Sequence, residues 1–212
     1  MNINKRNIVV VAGMHGNERM PVSALADAGL DFILANPKAY KKNVRFTEQD
    51  LNASFGTKRK NYESKRAAEI LREIGKNEVV IDFHTSASKT PFQILIDKKM
   101  ISLAERTGIK RTVLMKHNIK KGHALINYRD GISIEAGAHT DKVASKNTLK
   151  VINSVKKNKK HLTILYEVFG EIRKPGKYVN WRKHPEGFIP VLANEPEYER
   201  SGLFGLKARR IS

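Results

Sequence analysis

Cysteine is absent from the chain. Disulfide staples, thiolate metal sites, iron-sulfur clusters and cysteine nucleophiles are therefore excluded, and any metal must be held by histidines and carboxylates. Long apolar runs are missing as well. The longest early stretch, Ile8 to Ala12, is too short for a signal-peptide core or a membrane span, so no anchor is expected and the cytoplasm is the expected location. Acidic side chains are few: 21 against 40 Lys and Arg, which leaves a formal net charge of +19 and a surface that attracts anions. The basic residues are scattered, and no zinc finger, helix-turn-helix or aromatic RNA-binding signature accompanies them. They read as a lysine-rich solvated surface in preference to a nucleic-acid footprint.

What remains is a globular composition, 40% hydrophobic and 29% charged over 212 residues, enough for one domain of ordinary size with a small appendage. Short β-branched runs alternate with helical patterns. Residues 7–13 (NIVVVAG) read as a buried strand, and a helix follows from Pro21, with Ala24, Leu25, Ala28, Phe32 and Ile33 on its apolar face, until Asn36-Pro37 ends it. Residues 63–75 put Ala67, Ile70, Leu71 and Ile74 on one helical face before the next strand, 78–83. Strand-like runs recur at 92–96, 111–115 and 131–135, and 141–160 reads as an amphipathic helix with a basic outer face. This alternation implies an α/β domain over residues 1–160. From His161 the pattern turns to strands and turns, so residues 161–212 are expected to form a small β-rich C-terminal appendage.

Two of the strands deliver polar loops. His15 and Glu18 lie three apart in GMHGNE, a spacing that lets one turn point both side chains at a single ion. His84, at the end of the strand EVVIDF, could join them, because strand ends in an α/β sheet bring distant sequence together. Two histidines and one carboxylate, with a fourth position left open, make the donor set of a catalytic zinc site. The alternative is that these are unrelated loop residues. Glu135, closing its strand, reads equally as a buried or paired carboxylate.

Taken together, Gly13-Met-His-Gly-Asn-Glu18, Asn36-Pro37 followed by Lys41-Lys42 and Arg45, Asp50-Leu51-Asn52, Asp82-Phe83-His84, Gly131-Ile-Ser-Ile-Glu-Ala-Gly137 and Pro190-Val-Leu-Ala-Asn-Glu-Pro-Glu-Tyr198 resemble the aspartoacylase and succinylglutamate desuccinylase family, within the zinc carboxypeptidase-like group. The resemblance covers nearly the whole chain. It implies a zinc carboxypeptidase-like mixed sheet flanked by helices, and one Zn2+ per chain held by His15, Glu18 and His84. It makes Glu135 the general base and later proton donor, and Arg45 the group that polarises the scissile carbonyl. Asn52 and Tyr198 become substrate contacts, and Asp82 orients a ligand through a hydrogen bond. The implied substrate is a small N-acyl amino acid or related anionic amide. The remaining histidines, His117, His123, His139, His161 and His184, have no ligand spacing and are expected at the surface or in structural roles.

The chain departs from the family at one instructive position. The motif usually continues Asp-Leu-Asn-Arg, with the arginine binding a substrate carboxylate in bidentate fashion, but here the residue is Ala53. A carboxylate is then expected to be held differently, by Arg129 or nearby lysines. The segment after Glu135 also lacks the family's Gly-Pro-Gln run, so reduced pocket walls are expected. Two other readings stay open: a carboxypeptidase-like activity on a peptide end, for which Ala53 is equally awkward, and a non-catalytic basic scaffold that binds nucleic acid.

Overall fold

The computed structural model describes residues 6–115 and 122–212; His117 lies outside them. Strand β1 (Ile8–Ala12) leads through Gly13 and a turn into helix α1 (Arg19–Asp27). That helix is shorter than its apolar pattern suggests. Gly29, at φ +62°, ends it, with the Leu30 N–H donating to Leu25 O at 3.0 Å, as glycine past a helix end commonly does. Ile33 and Leu34 leave the helix and form a short strand, β2. Asn36-Pro37 starts helix α2 (Pro37–Lys42) where the pattern reads a stop: the Asn36 side chain accepts from Ala39 N at 3.1 Å and Pro37 takes the first helical turn, where a missing N–H costs nothing.

Helix α3 (Tyr62–Glu73) is capped by Asn61. Strand β3 (Val79–Ser86) extends beyond the expected end and carries His84 within it. Strand β4 (Phe92–Leu95), helix α4 (Ile101–Arg106) and strand β5 (Arg111–Leu114) follow, then β6 (Gly131–Ala138) and α5 (Lys142–Lys156). The α5 face that packs inward is Ala144, Thr148, Val151, Ile152 and Val155, while Lys142, Lys146 and Lys150 are exposed, as its amphipathic pattern requires. The chain closes with β7 (Ile164–Ile172), β8 (Ile189–Val191), the short helix α6 (Pro196–Glu199) and β9 (Gly205–Arg210).

The strands form a single mixed sheet in the order β2-β1-β3-β6-β4-β5-β7-β9-β8. Its β1, β2, β3 and β6 run parallel, whereas β4 is antiparallel to β6, and β9 is antiparallel to β7 and β8. Alternation along β3 sends Val79, Ile81 and Phe83 into a core shared with α1, α4 and α5, while Val80 packs with Ala67, Ile70 and Ile74 on the α3 side. Asp82 and His84 share the parity of Val80 and so fall on that second face. Burying such aliphatic side chains contributes about 1.5–3 kcal/mol each.

Residues 161–212, expected as an appendage, are strand-rich, but they continue the main sheet. Strand β7 pairs in parallel with β5, Tyr166 opposite Val113. One apolar cluster joins Phe92, Ile94 and Val113 to Tyr166, Val168, Leu206 and Ala208. Parallel strands are usually covered on both faces, and β7 gains its place in the sheet between β5 and β9.

Candidate metal centre and active site

Parallel neighbours place the ends of β1, β3 and β6 together. His84 and Glu135 are direct register partners across β3 and β6, and Ala12 faces Phe83 across β1 and β3, so the loop after β1 rises beside His84. That loop is fixed by its glycines. Gly13 has φ +71°, a conformation costly to other residues. A Cβ on Gly16 would meet the backbone at Ala39 C and Tyr40 N, at 2.1 and 2.3 Å. The Glu18 N–H then closes a turn on His15 O at 3.1 Å, bringing both side chains to one side.

His15, Glu18 and His84 are all buried, and each offers one ligand atom within 4.8 Å of the others. His15 Nδ1 lies 2.7 Å from Glu18 Oε1, and His84 Nδ1 lies 3.2 Å from Glu18 Oε2. The opposite ring nitrogens meet carboxylates: His15 Nε2 with Asp50 Oδ1 at 3.1 Å and His84 Nε2 with Asp82 Oδ2 at 2.7 Å. Both imidazoles thus turn Nδ1 inward and are held from behind through Nε2, the arrangement that orients histidine ligands and raises their basicity. Burial alone would lift the Glu18 carboxyl, yet the two imidazoles hold it far below the usual carboxylate range. His84 is raised well above the ordinary imidazole value: burial opposes the shift, and the Asp82 and Glu18 carboxylates outweigh it. Glu18 Oε2, buried beside two rings, has His84 Nδ1 at 3.2 Å but no well-aligned hydrogen bond. A buried His, His, Glu set with an unsatisfied oxygen fits a divalent ion of the zinc type, which satisfies such donors without a proton.

Glu135 is buried with Oε2 unpartnered. Burial pushes its carboxyl well above the usual glutamate value, His84 pulls it down, and the Glu18, Glu195 and Asp82 charges add to the rise. The cavity in front of it is also lined by Arg45, Asn52, Glu195, Glu197 and Tyr198. Arg45 reaches Asp50 Oδ2 at 3.5 Å, and Asn52 Oδ1 is buried without a donor.

The sequence brings most of its candidates here: His15, Glu18, His84, Glu135, Arg45, Asn52 and Tyr198 surround one space. Arg129 is the exception and corrects the expectation. Its guanidinium donates to the carbonyls of Ile74, Tyr128 and Leu71, tying down the end of α3, and it lines a different cavity beside Asp97 and Lys99. Three residues given no role from the sequence belong to the site. Asp50 supports His15. Glu195 accepts from Ala87 N at 2.7 Å and faces His139 Nε2 at 3.6 Å, while His139 Nδ1 contacts Thr85 Oγ1 at 2.9 Å. Of Glu195 and His139, only Glu195 carries a signal in the sequence, since it stands within the Pro190 to Tyr198 segment that resembles the family. The other described histidines make local contacts: His123 with Phe55 O, His161 with Ser154, and His184 stacked on Phe188.

Solved structures share this architecture. Murine aminoacylase 3 superposes with a TM-score of 0.74 over 97% of this chain and 95% of its own, at 18% identity. Among sequence relatives, a protein described as a probable aspartoacylase from Prochlorococcus marinus strain AS9601 is 28% identical over 163 residues, 63% of this chain and 54% of that protein. An N-acyl-aromatic-L-amino acid amidohydrolase (carboxylate-forming) from Xenopus laevis is 35% identical over 116 residues, 43% of this chain and 38% of that protein. The matched stretches therefore span about a third to a half of these relatives' length. The fold and the convergence of strand ends on one cavity define a zinc carboxypeptidase-like α/β architecture. The profile of the succinylglutamate desuccinylase/aspartoacylase catalytic domain matches residues 4–158, and the chain belongs to that family.

Proposed function

We propose that the protein is a zinc-dependent amidohydrolase that cleaves the amide bond of a small N-acyl amino acid. The observation that carries this reading is the meeting of His15, Glu18 and His84 within 4.8 Å at a cavity where Glu135 stands beside His84 on the next strand. Family membership and the amidohydrolase names of the relatives support it.

His15, Glu18 and His84 would hold the ion. Zinc bound there supplies Lewis acidity at the scissile carbonyl and draws the pKa of a water toward neutrality. Glu135 takes the proton of the attacking water at its unpartnered Oε2 and returns it to the leaving nitrogen. A carboxyl raised by burial suits both tasks, because it holds a proton more readily than an ordinary glutamate. Arg45, held by Asp50, presents fixed positive charge to the oxygen that becomes negative. The vacant Asn52 Oδ1 accepts a hydrogen bond from a substrate N–H, and Tyr198 lines the same cavity.

Glu135→Gln should keep the metal and lose turnover by about 10²–10⁴-fold, whereas His84→Ala should lose the metal itself. Metal analysis and initial rates on the same preparations separate the two effects. An active, metal-free His84→Ala protein would sink the mechanism.

A further inference from the structure

Beside the polar cavity lies a second one of about 60 Å³, sharing Asn52, His84, Glu135, Leu192 and Tyr198 with it. The rest of its described lining is mostly aliphatic, Ile94, Ile96, Met115, Ala124 and Ile126, with the neutral Asn127 and Ser133 beside them. Among the described lining residues the ionisable groups are His84, Glu135 and Tyr198. Arg45 lines the polar cavity and not this one. At position 53, where the family motif carries an arginine, Ala53 faces an outer groove with Arg59 and Arg173 that shares Arg45, Glu197 and Tyr198 with the polar cavity but does not line the aliphatic one.

We infer that this aliphatic cavity is the specificity pocket and takes a short branched aliphatic chain of the substrate, excluding both carboxylate and aromatic side groups. The inference rests on the reading of the adjoining centre as an amidohydrolase site. A carboxylate placed against Ile94, Ile96, Met115, Ala124 and Ile126 would lose its water to side chains that offer it no hydrogen bond. An aromatic ring is excluded by size, since an aliphatic cavity that takes benzene measures about 150 Å³. A branched chain of three carbons, smaller than a benzene ring, suits the space and gains the burial of each carbon. The chain can belong to the acyl group or to the amino acid, since an amide presents one on each side.

The test uses two series of probes. N-acetyl-valine, N-acetyl-phenylalanine and N-acetyl-aspartate vary the amino-acid side; 2-methylpropanoyl-glycine, phenylacetyl-glycine and succinyl-glycine vary the acyl side. Affinities are read by NMR titration on the Glu135→Gln protein, where binding is seen without turnover, and kcat/KM is read on the zinc-loaded wild type. In one of the two series the branched aliphatic probe should bind about tenfold or more tightly than its acidic and aromatic partners. Filling the cavity with Ala124→Leu, or independently Ile126→Phe, should abolish that preference. Equal or tighter binding of the acidic or aromatic probes in both series overturns the inference, as does a preference unchanged in both filled variants. Aliphatic preference in binding with no cleavage of any amide would uphold the pocket and fail the hydrolase reading; cleavage with the wrong preference would do the reverse.

Discussion

Gly16 decides whether the first two candidate ligands can meet at all. Its neighbours leave no room for a side chain, because a Cβ would fall 2.1–2.4 Å from the Ala39 and Tyr40 backbone. Since backbone cannot yield as a flexible side chain does, Gly16→Ala should push the His15 to Glu18 turn off α2 and lower zinc affinity about tenfold or more, as loss of ligand support does. Competition titration with a chelator measures it; unchanged affinity would show that the turn adapts. At this scale the sequence was informative about ligands and nearly silent about their supports. His15, Glu18 and His84 stand in motifs with spacing that means something. Asp50 matters because its Oδ1 lies 3.1 Å from His15 Nε2, 35 residues away in sequence, and Glu195 because it is tied to Ala87 and His139. Such hydrogen bonds join distant segments and leave no local periodicity to read. Arg129 erred for the complementary reason: the sequence shows a spare guanidinium, and only the fold shows three carbonyls waiting for it.

Among the elements, α3 contributes more than an apolar face. Its first turn carries Glu63, fully buried, whose carboxylate accepts from Thr47 N and Thr47 Oγ1, both at 2.7 Å, and from Glu48 N, Gln49 N and Asn36 Nδ2. This carboxylate gathers the loop that carries Arg45 and Asp50. Burial acts to raise its pKa, but the hydrogen bonds from Thr47, Asn36 and Gln49 win and hold it below the ordinary 4.5. A depressed folded pKa gives stability that is present above the unfolded value and lost as pH falls through the folded one. Glu63→Gln should therefore cost about 1–3 kcal/mol near neutrality and flatten the loss of stability below pH 4.5. Urea unfolding at several pH values checks both; parallel curves for the two proteins would refute the linkage. Elements with a strong local pattern, such as α3, α5 and β3, were legible from sequence. Strand β2 was not, because two residues carry no alternation, and Asn36-Pro37 is a helix stop or a helix start depending on which side the chain turns.

The whole molecule carries a charge of +19, and its sheet runs unbroken from β2 to β8. That continuity is why residues beyond 160 looked separable in sequence: the change from helices to strands is real, but the pairing of β7 with β5 is non-local. Among the described residues no helix is long and apolar enough to cross a membrane. Exposed lysines on α5 and elsewhere repel one another, and self-repulsion destabilises a compact state. Raising ionic strength from about 0.05 to 0.3 M shortens the range of that repulsion to below 10 Å. Relief of about 1 kcal/mol should raise Tm by about 2–4 °C in a thermal-shift series; a Tm that falls instead would mean that favourable ion pairs outweigh the net charge.

The ends of β1 and β3 are proposed to build a zinc centre. Its most direct test is elemental analysis of purified wild type and His15→Ala protein after equilibration with zinc and removal of the free ion. About one zinc per chain, absent from the variant, is the predicted result. No zinc in the wild type, or equal zinc in both proteins, would contradict it.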